Sequence, residues 1–135
     1  MVERHLVDTS AWIEYFRNTG SAACSYVDRL AEDPHSLATT QPVLLELGIG
    51  ARGAAARRIG ALVGRAALLD VDVAIDFDLA GDLYHAVLDT GHRVRSVLDC
   101  LIAAVAIRAD AVLVHQDRDF ERIAAVAADL RCVQL

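Results

Sequence analysis

Five carboxylates stand where solvated acids are not expected: Asp8, Glu46, Asp99, Asp117 and Asp119. Asp8 ends the run His-Leu-Val and precedes Thr9 and Ser10, so it falls just past a candidate strand. Asp117 and Asp119 follow the apolar run 111–115 in the same way. Glu46 lies in Pro-Val-Leu-Leu-Glu-Leu-Gly-Ile, with apolar residues at 43, 44, 45, 47 and 49 around most of a helical circumference. Asp99 opens the apolar stretch Val-Leu-Asp-Cys-Leu-Ile-Ala-Ala. A buried, unpaired carboxylate is costly, or is driven to its neutral form. Each acid also has a plainer reading. Asp8 fits a turn or N-cap, and Glu46 fits a narrow exposed stripe. Ser96-x-x-Asp99 has capping-box spacing, and Asp117 fits an N-cap with Asp119 in the first turn. Together the acids say more, because they come from four distant segments. Carboxylates that converge repel one another and need a cation between them. A set of oxygen donors without cysteine suits Mg²⁺ or Mn²⁺ rather than Zn²⁺. Such ions lower the pKa of a bound water, orient a phosphate and stabilise charge on a leaving oxygen. Metal-assisted phosphodiester hydrolysis is therefore the expected chemistry.

These acids require a scaffold that gathers distant segments. The sequence predicts strands at 5–8, 36–39, 67–71, 111–115 and 131–134. It predicts helices at 9–17, 21–31, 42–51, 54–63, 74–90, 96–109 and 118–128. Pro42 falls in a first helical turn, where its missing N–H is tolerated. Ile75, Leu79 and Leu83 recur at four-residue spacing, and Gly91 closes that helix. Short apolar strands separated by helices imply right-handed crossovers and a parallel sheet covered on both faces. The expected fold is a three-layer α/β/α sandwich around a central parallel sheet, one domain over 1–135. In such sheets, ligands gather beyond the carboxyl ends of the strands.

Composition narrows the alternatives. The chain has 135 residues, 55% hydrophobic and 24% charged, which is too apolar for a disordered chain. The net charge is −6, and all 13 cations are arginine. This acidic balance argues against holding nucleic acid by overall charge, and leaves room for a local basic surface. Residues 47–69 carry Arg52, Arg57, Arg58 and Arg65 and no acid, whereas residues 70–92 carry six aspartates and no arginine. A solvated helix face explains either segment; a basic patch facing a phosphate backbone or an acidic partner is the functional alternative. No signal-peptide core or membrane-length apolar run is read, and the three scattered cysteines fit reduced thiols in a cytoplasmic protein. There is no Walker-type glycine loop, and Gly48-x-Gly50 lacks the third glycine of a dinucleotide site.

The ordered motifs carry a family likeness. Val-Asp8-Thr-Ser-Ala-Trp is followed by Thr39-Thr40 and Leu45-Glu46-Leu. Leu98-Asp99-Cys-Leu-Ile-Ala-Ala and His115-Gln-Asp117-Arg-Asp119-Phe120 complete the set. This set resembles the PIN-domain family, and most of all the VapC toxins of type II toxin–antitoxin modules, over essentially the whole chain. The resemblance implies an α/β/α fold and a Mg²⁺- or Mn²⁺-dependent endoribonuclease. It also implies restraint by a cognate VapB-type antitoxin and a tendency to form homodimers. Asp8, Glu46, Asp99 and Asp117 match the acidic quartet of the family, Asp119 a position that is often acidic, and Ser10 a small polar position near the first acid.

On that likeness, Asp8 and Asp99 hold the ion, directly or through water, with Asp117 as a further ligand. Glu46 and Asp117 complete the shell or hold a second ion. Asp117 and Asp119 stay open alternatives for the fourth ligand. Thr9 or Ser10 orients the first carboxylate, and a metal-bound water attacks the phosphate. Arg93, Arg95, Arg52 and Arg57 are candidates for meeting RNA phosphates. The rival expectation is an inactive module that grips RNA or protein and keeps a structural cation site. A phospho-accepting receiver domain would need a lysine, and the chain has none, which argues against that reading.

Overall fold

Apolar runs too short for helices become the strands of one sheet. They are β1 (His5–Val7), β2 (Leu37–Thr39), β3 (Ala67–Leu68), β4 (Val112–His115) and β5 (Arg131–Gln134). The computed structural model describes residues 2–17 and 20–135. Among them the strand order is β3-β2-β1-β4-β5, with each neighbouring pair parallel. Leu6 lies opposite Ala38 on one side and Leu113 on the other.

Parallel neighbours cannot be joined by tight turns, and helices supply the crossovers. These are α1 (Thr9–Arg17), α2 (Ala22–Ala31), α3 (Gln41–Gly50), α4 (Gly53–Val63), α5 (Val73–Asp89), α6 (Val97–Arg108) and α7 (Arg118–Val126). The result is the expected α/β/α sandwich. Leu6, Val7, Leu37, Ala38, Leu113 and Val114 are all buried, as strands covered on both faces must be. Helix α6 is the most deeply set, with residues 99–106 all buried. No described helix is long and apolar enough to cross a membrane.

The predicted elements are all present, with one informative difference. Strand β3 stops at Leu68 instead of reaching Val71. Past Leu69, side chains from other elements capture the backbone. Gln41 Oε1 accepts from the Val71 N–H at 3.0 Å, and the Asp70 carbonyl accepts from Arg108 Nη2 at 2.5 Å. Asp72 then caps α5, accepting from the N–H groups of Ala74 and Ile75. The acidic segment 70–92 is also not merely a solvated face. Asp76 is 0% exposed and accepts from Arg108 Nε at 2.8 and 3.0 Å. That pair ties α5 to the end of α6.

The strand order sets the location of a site. The chain leaves β1 toward β2 and β3, then returns to place β4 on the other side of β1. The carboxyl ends of β1 and β4 therefore flank a topological switch point, where a crevice opens in sheets of this kind.

Candidate metal centre

Asp8 follows β1 directly, and its own N–H still donates to the Val114 carbonyl at 2.9 Å. Its carboxylate is thereby held at the switch point, where the residue is 3% exposed. One oxygen acts as a helix cap. Asp8 Oδ2 accepts from the Ser10 N–H at 2.9 Å and from Ser10 Oγ at 2.6 Å. Ser10 Oγ in turn accepts from the Gln116 N–H at 3.0 Å, bracing the end of β1 against the segment after β4. The other oxygen, Asp8 Oδ1, is buried with no hydrogen-bond partner. The cap reading and the ligand reading of Asp8 thus each describe one oxygen.

Of the two residues expected to orient Asp8, it is Ser10 whose side chain does so; Thr9 Oγ1 donates to Glu46 Oε1 at 2.9 Å. The two adjacent hydroxyls thus hold different acids. Glu46 comes from α3, midway along an otherwise apolar helix. Asp99 lies in the first turn of α6, 7% exposed, behind Ser96, whose Oγ accepts from the Leu98 N–H at 3.3 Å.

These side chains meet. Oxygens of Asp8, Glu46 and Asp99 lie within 4.8 Å of one another, and so do oxygens of Asp99, Asp117 and Asp119. Asp99 belongs to both groups. Burial, followed by the charges of Asp8, Asp117, Glu46 and Asp119, pushes the Asp99 carboxyl up to about 8. Burial pushes Asp8 up to about 6, against the opposing hydrogen bonds from Ser10, and nearby Glu46 adds to the rise.

The Asp117–Asp119 side is built differently. Asp117 caps α7, accepting from the Asp119 N–H at 3.0 Å. His115, buried behind it, accepts from the Asp117 N–H at 3.3 Å through Nδ1, and burial lowers its pKa. Arg95, expected to meet RNA phosphate, is exposed and also pairs with both acids. Its backbone N–H and Nε donate to Asp119 Oδ2 at 3.0 and 3.2 Å, and its Nη2 donates to Asp117 Oδ1 at 2.7 Å. Arg122 Nη1 lies 3.7 Å from Asp119 Oδ1 and donates to the Arg93 carbonyl at 2.8 Å. Arg93 itself is exposed. Arg52 and Arg57 are also exposed, at α4, a helix that contributes none of the clustered acids.

The Arg122–Asp119 pair has three-residue helical spacing and was legible in principle. The Arg95 clamp spans 24 residues and left no local signal.

A hard divalent cation fits the first group of acids. Its donors are all oxygens, Asp8 Oδ1 is buried and unpartnered, and among the described residues no arginine pairs with Asp8, Glu46 or Asp99.

The PIN domain family matches residues 5–126. Two curated relatives are each 46% identical over 123 residues, covering 90% of this chain and 92% of their own length. They are the VapC ribonuclease Mb1587 of Mycobacterium bovis and the ribonuclease VapC11 of Mycobacterium tuberculosis. Among solved structures, the DNA-bound VapBC of Salmonella typhimurium shares the fold with a TM-score of 0.77 at 22% identity, covering 99% of this chain and 98% of that one. VapBC-5 of Mycobacterium tuberculosis, from a family of toxin–antitoxin systems, is similar with a TM-score of 0.67 at 25% identity, covering 98% of each chain. With the switch-point acids in place and relatives this similar along nine-tenths of its length, the chain belongs to the PIN domain family, among its VapC ribonucleases.

Proposed function

We propose that this protein is a divalent-cation-dependent endoribonuclease, the toxin of a VapBC-type module, formed as one domain over 1–135. The observation that carries the reading is the convergence of Asp8, Glu46 and Asp99, one of which, Asp8, also keeps a buried oxygen with no hydrogen-bond partner among the described residues. Asp8, Asp99 and Glu46 would hold Mg²⁺ or Mn²⁺, with Asp117 at the margin through its closeness to Asp99. When bound, the ion supplies Lewis-acid polarisation of the phosphate and a more acidic water.

The chain's own residues do the rest. Ser10 fixes the direction of Asp8 with two hydrogen bonds to one oxygen, which leaves the other oxygen buried and unpartnered. Thr9 fixes Glu46 by one oxygen in the same manner. Burial keeps bulk water from screening these charges, so they act strongly on charge that develops at a phosphate. Arg118 and Arg122 line a cleft of about 410 Å³ beside Asp117. Arg118 meets RNA phosphates there, and the exposed Arg93, Arg52 and Arg57 are further phosphate contacts.

The VapBC complexes of similar fold support a VapB-type antitoxin as partner, within a homodimer or a toxin–antitoxin hetero-oligomer. RNA cleavage by the wild type, by Asp8→Asn and by Asp99→Asn, with Mg²⁺ and with EDTA, tests the reading. Cleavage is expected only for the wild type with metal. Cleavage that survives chelation or either substitution sinks the proposal. RNA retarded on a gel without shortening would establish a binding module instead.

A further inference from the structure

The acid cluster offers two places for a cation, and the protein fills one of them with its own side chain. The two groups of carboxylates share Asp99 and are otherwise separate. On one side stand Asp8 and Glu46, held by the hydroxyls of Ser10 and Thr9 and the Ser10 N–H. On the other stand Asp117 and Asp119, met by the three donors of Arg95 and approached by Arg122. Arg95 reaches both aspartates at once, because its backbone N–H and Nε share Asp119 Oδ2 while Nη2 extends to Asp117 Oδ1. A guanidinium suits this task because its planar fork meets carboxylate oxygens at fixed angles.

We propose that Arg95 is a positioning residue that substitutes for a second divalent cation, so that the protein takes up one ion, at Asp8, Glu46 and Asp99. This rests on the metal-dependent reading above and decides a point which that reading leaves open, the number of ions. The charge pattern sets the preference. The Asp117–Asp119 side is neutralised by arginine, whereas the Asp8–Glu46 side is met by no cation among the described residues. Arg95 already occupies Asp117 Oδ1 and Asp119 Oδ2, and Arg122 lies 3.7 Å from Asp119 Oδ1, so a second ion would meet two guanidinium charges beside the oxygens left to it. The Arg95 side chain is 74% exposed, so the clamp is applied from the solvent side and can be removed without opening the core.

Isothermal titration with Mn²⁺ at neutral pH, on the full chain without RNA, reads this out independently of activity. The wild type is expected to bind one ion per chain. Arg95→Ala is expected to bind two, or to tighten a weak second site by roughly tenfold or more. Arg95→Gln, which keeps a polar side chain and removes the charge, serves if the alanine variant does not fold. Adding Asp119→Asn to the open variant should return it to one ion. Two ions of similar affinity in the wild type would overturn the proposal, as would an unchanged single ion in the arginine variants. Binding of no ion by any of these proteins would instead overturn the metal-dependent reading itself.

Discussion

Two buried aspartates in this protein show opposite solutions to the same problem. Asp76 on α5 is sealed from solvent and meets Arg108, and its second oxygen also accepts from the Asp72 N–H at 2.7 Å. Asp8, almost as buried, has a serine on one oxygen and nothing on the other. A carboxylate supplied with an internal cation is part of the architecture. A carboxylate deprived of one, and set beside two more, is where we propose that a cation from outside binds. The Asp117–Asp119 pair combines the two designs, because its cation is internal but exposed.

The contrast breaks most sharply on stability. Asp76→Ala removes the buried partner of Arg108, whose part-exposed guanidinium keeps the Asp70 carbonyl, and the lost charge-assisted hydrogen bonds should cost roughly 1.5–3 kcal/mol. Urea denaturation should show that loss, with no equivalent loss for Asp99→Asn. On RNA cleavage the order reverses. Asp8→Asn and Asp99→Asn should lower kcat by on the order of a hundredfold or more, because each removes charge from the proposed ion site. Asp76→Ala, assayed where it stays folded, should cleave at close to the wild-type rate.

The next effect is on pH. Asp99 and Asp8 have folded pKa values of about 8 and about 6, both above the ordinary carboxylate value. The fold therefore binds more protons than the unfolded chain in that window, and metal-free stability falls as pH rises. The Asp8 contribution is lost as pH passes about 6, and the Asp99 contribution as it passes about 8. Between pH 6 and 8 the loss should be roughly 2 kcal/mol, on a scale of 1.36 kcal/mol per unit of pKa shift. Asp99→Asn should flatten most of that slope. A metal-free wild type that gains stability over the same range would contradict the burial of these acids. Ser10→Ala should have the smallest effect, about 1 kcal/mol, the usual net worth of one hydrogen bond. It should raise the metal concentration needed for cleavage more than it lowers kcat.

Most of this was legible in the sequence because the signals are local. Alternation of short apolar runs with helical periodicity gives the layers, and acids set in apolar runs mark the site. Asp8 could be placed at a strand end and Asp99 in a first helical turn from a few flanking residues. The pairing of Thr9 with Glu46 was not legible, since Thr9 and Ser10 are adjacent small polar residues and their division of labour depends on where α3 crosses α1. The pairing of Arg95 with Asp117 and Asp119 was not legible for the same reason: its partners lie beyond a helix and a strand, and no short-range spacing connects them. The early end of β3 likewise depends on Gln41 and Arg108, which reach it from elsewhere in the chain.

The central claim is that Asp8, Glu46 and Asp99 form a site for a divalent cation. Thermal unfolding at pH 7.5 with increasing Mn²⁺ tests it most directly, because an ion that binds only the folded chain raises the melting temperature with its concentration. The wild type should melt progressively higher as Mn²⁺ is added, and the Asp8→Asn/Asp99→Asn double variant should not respond. A wild type indifferent to Mn²⁺, or a double variant stabilised as much as the wild type, would contradict the account.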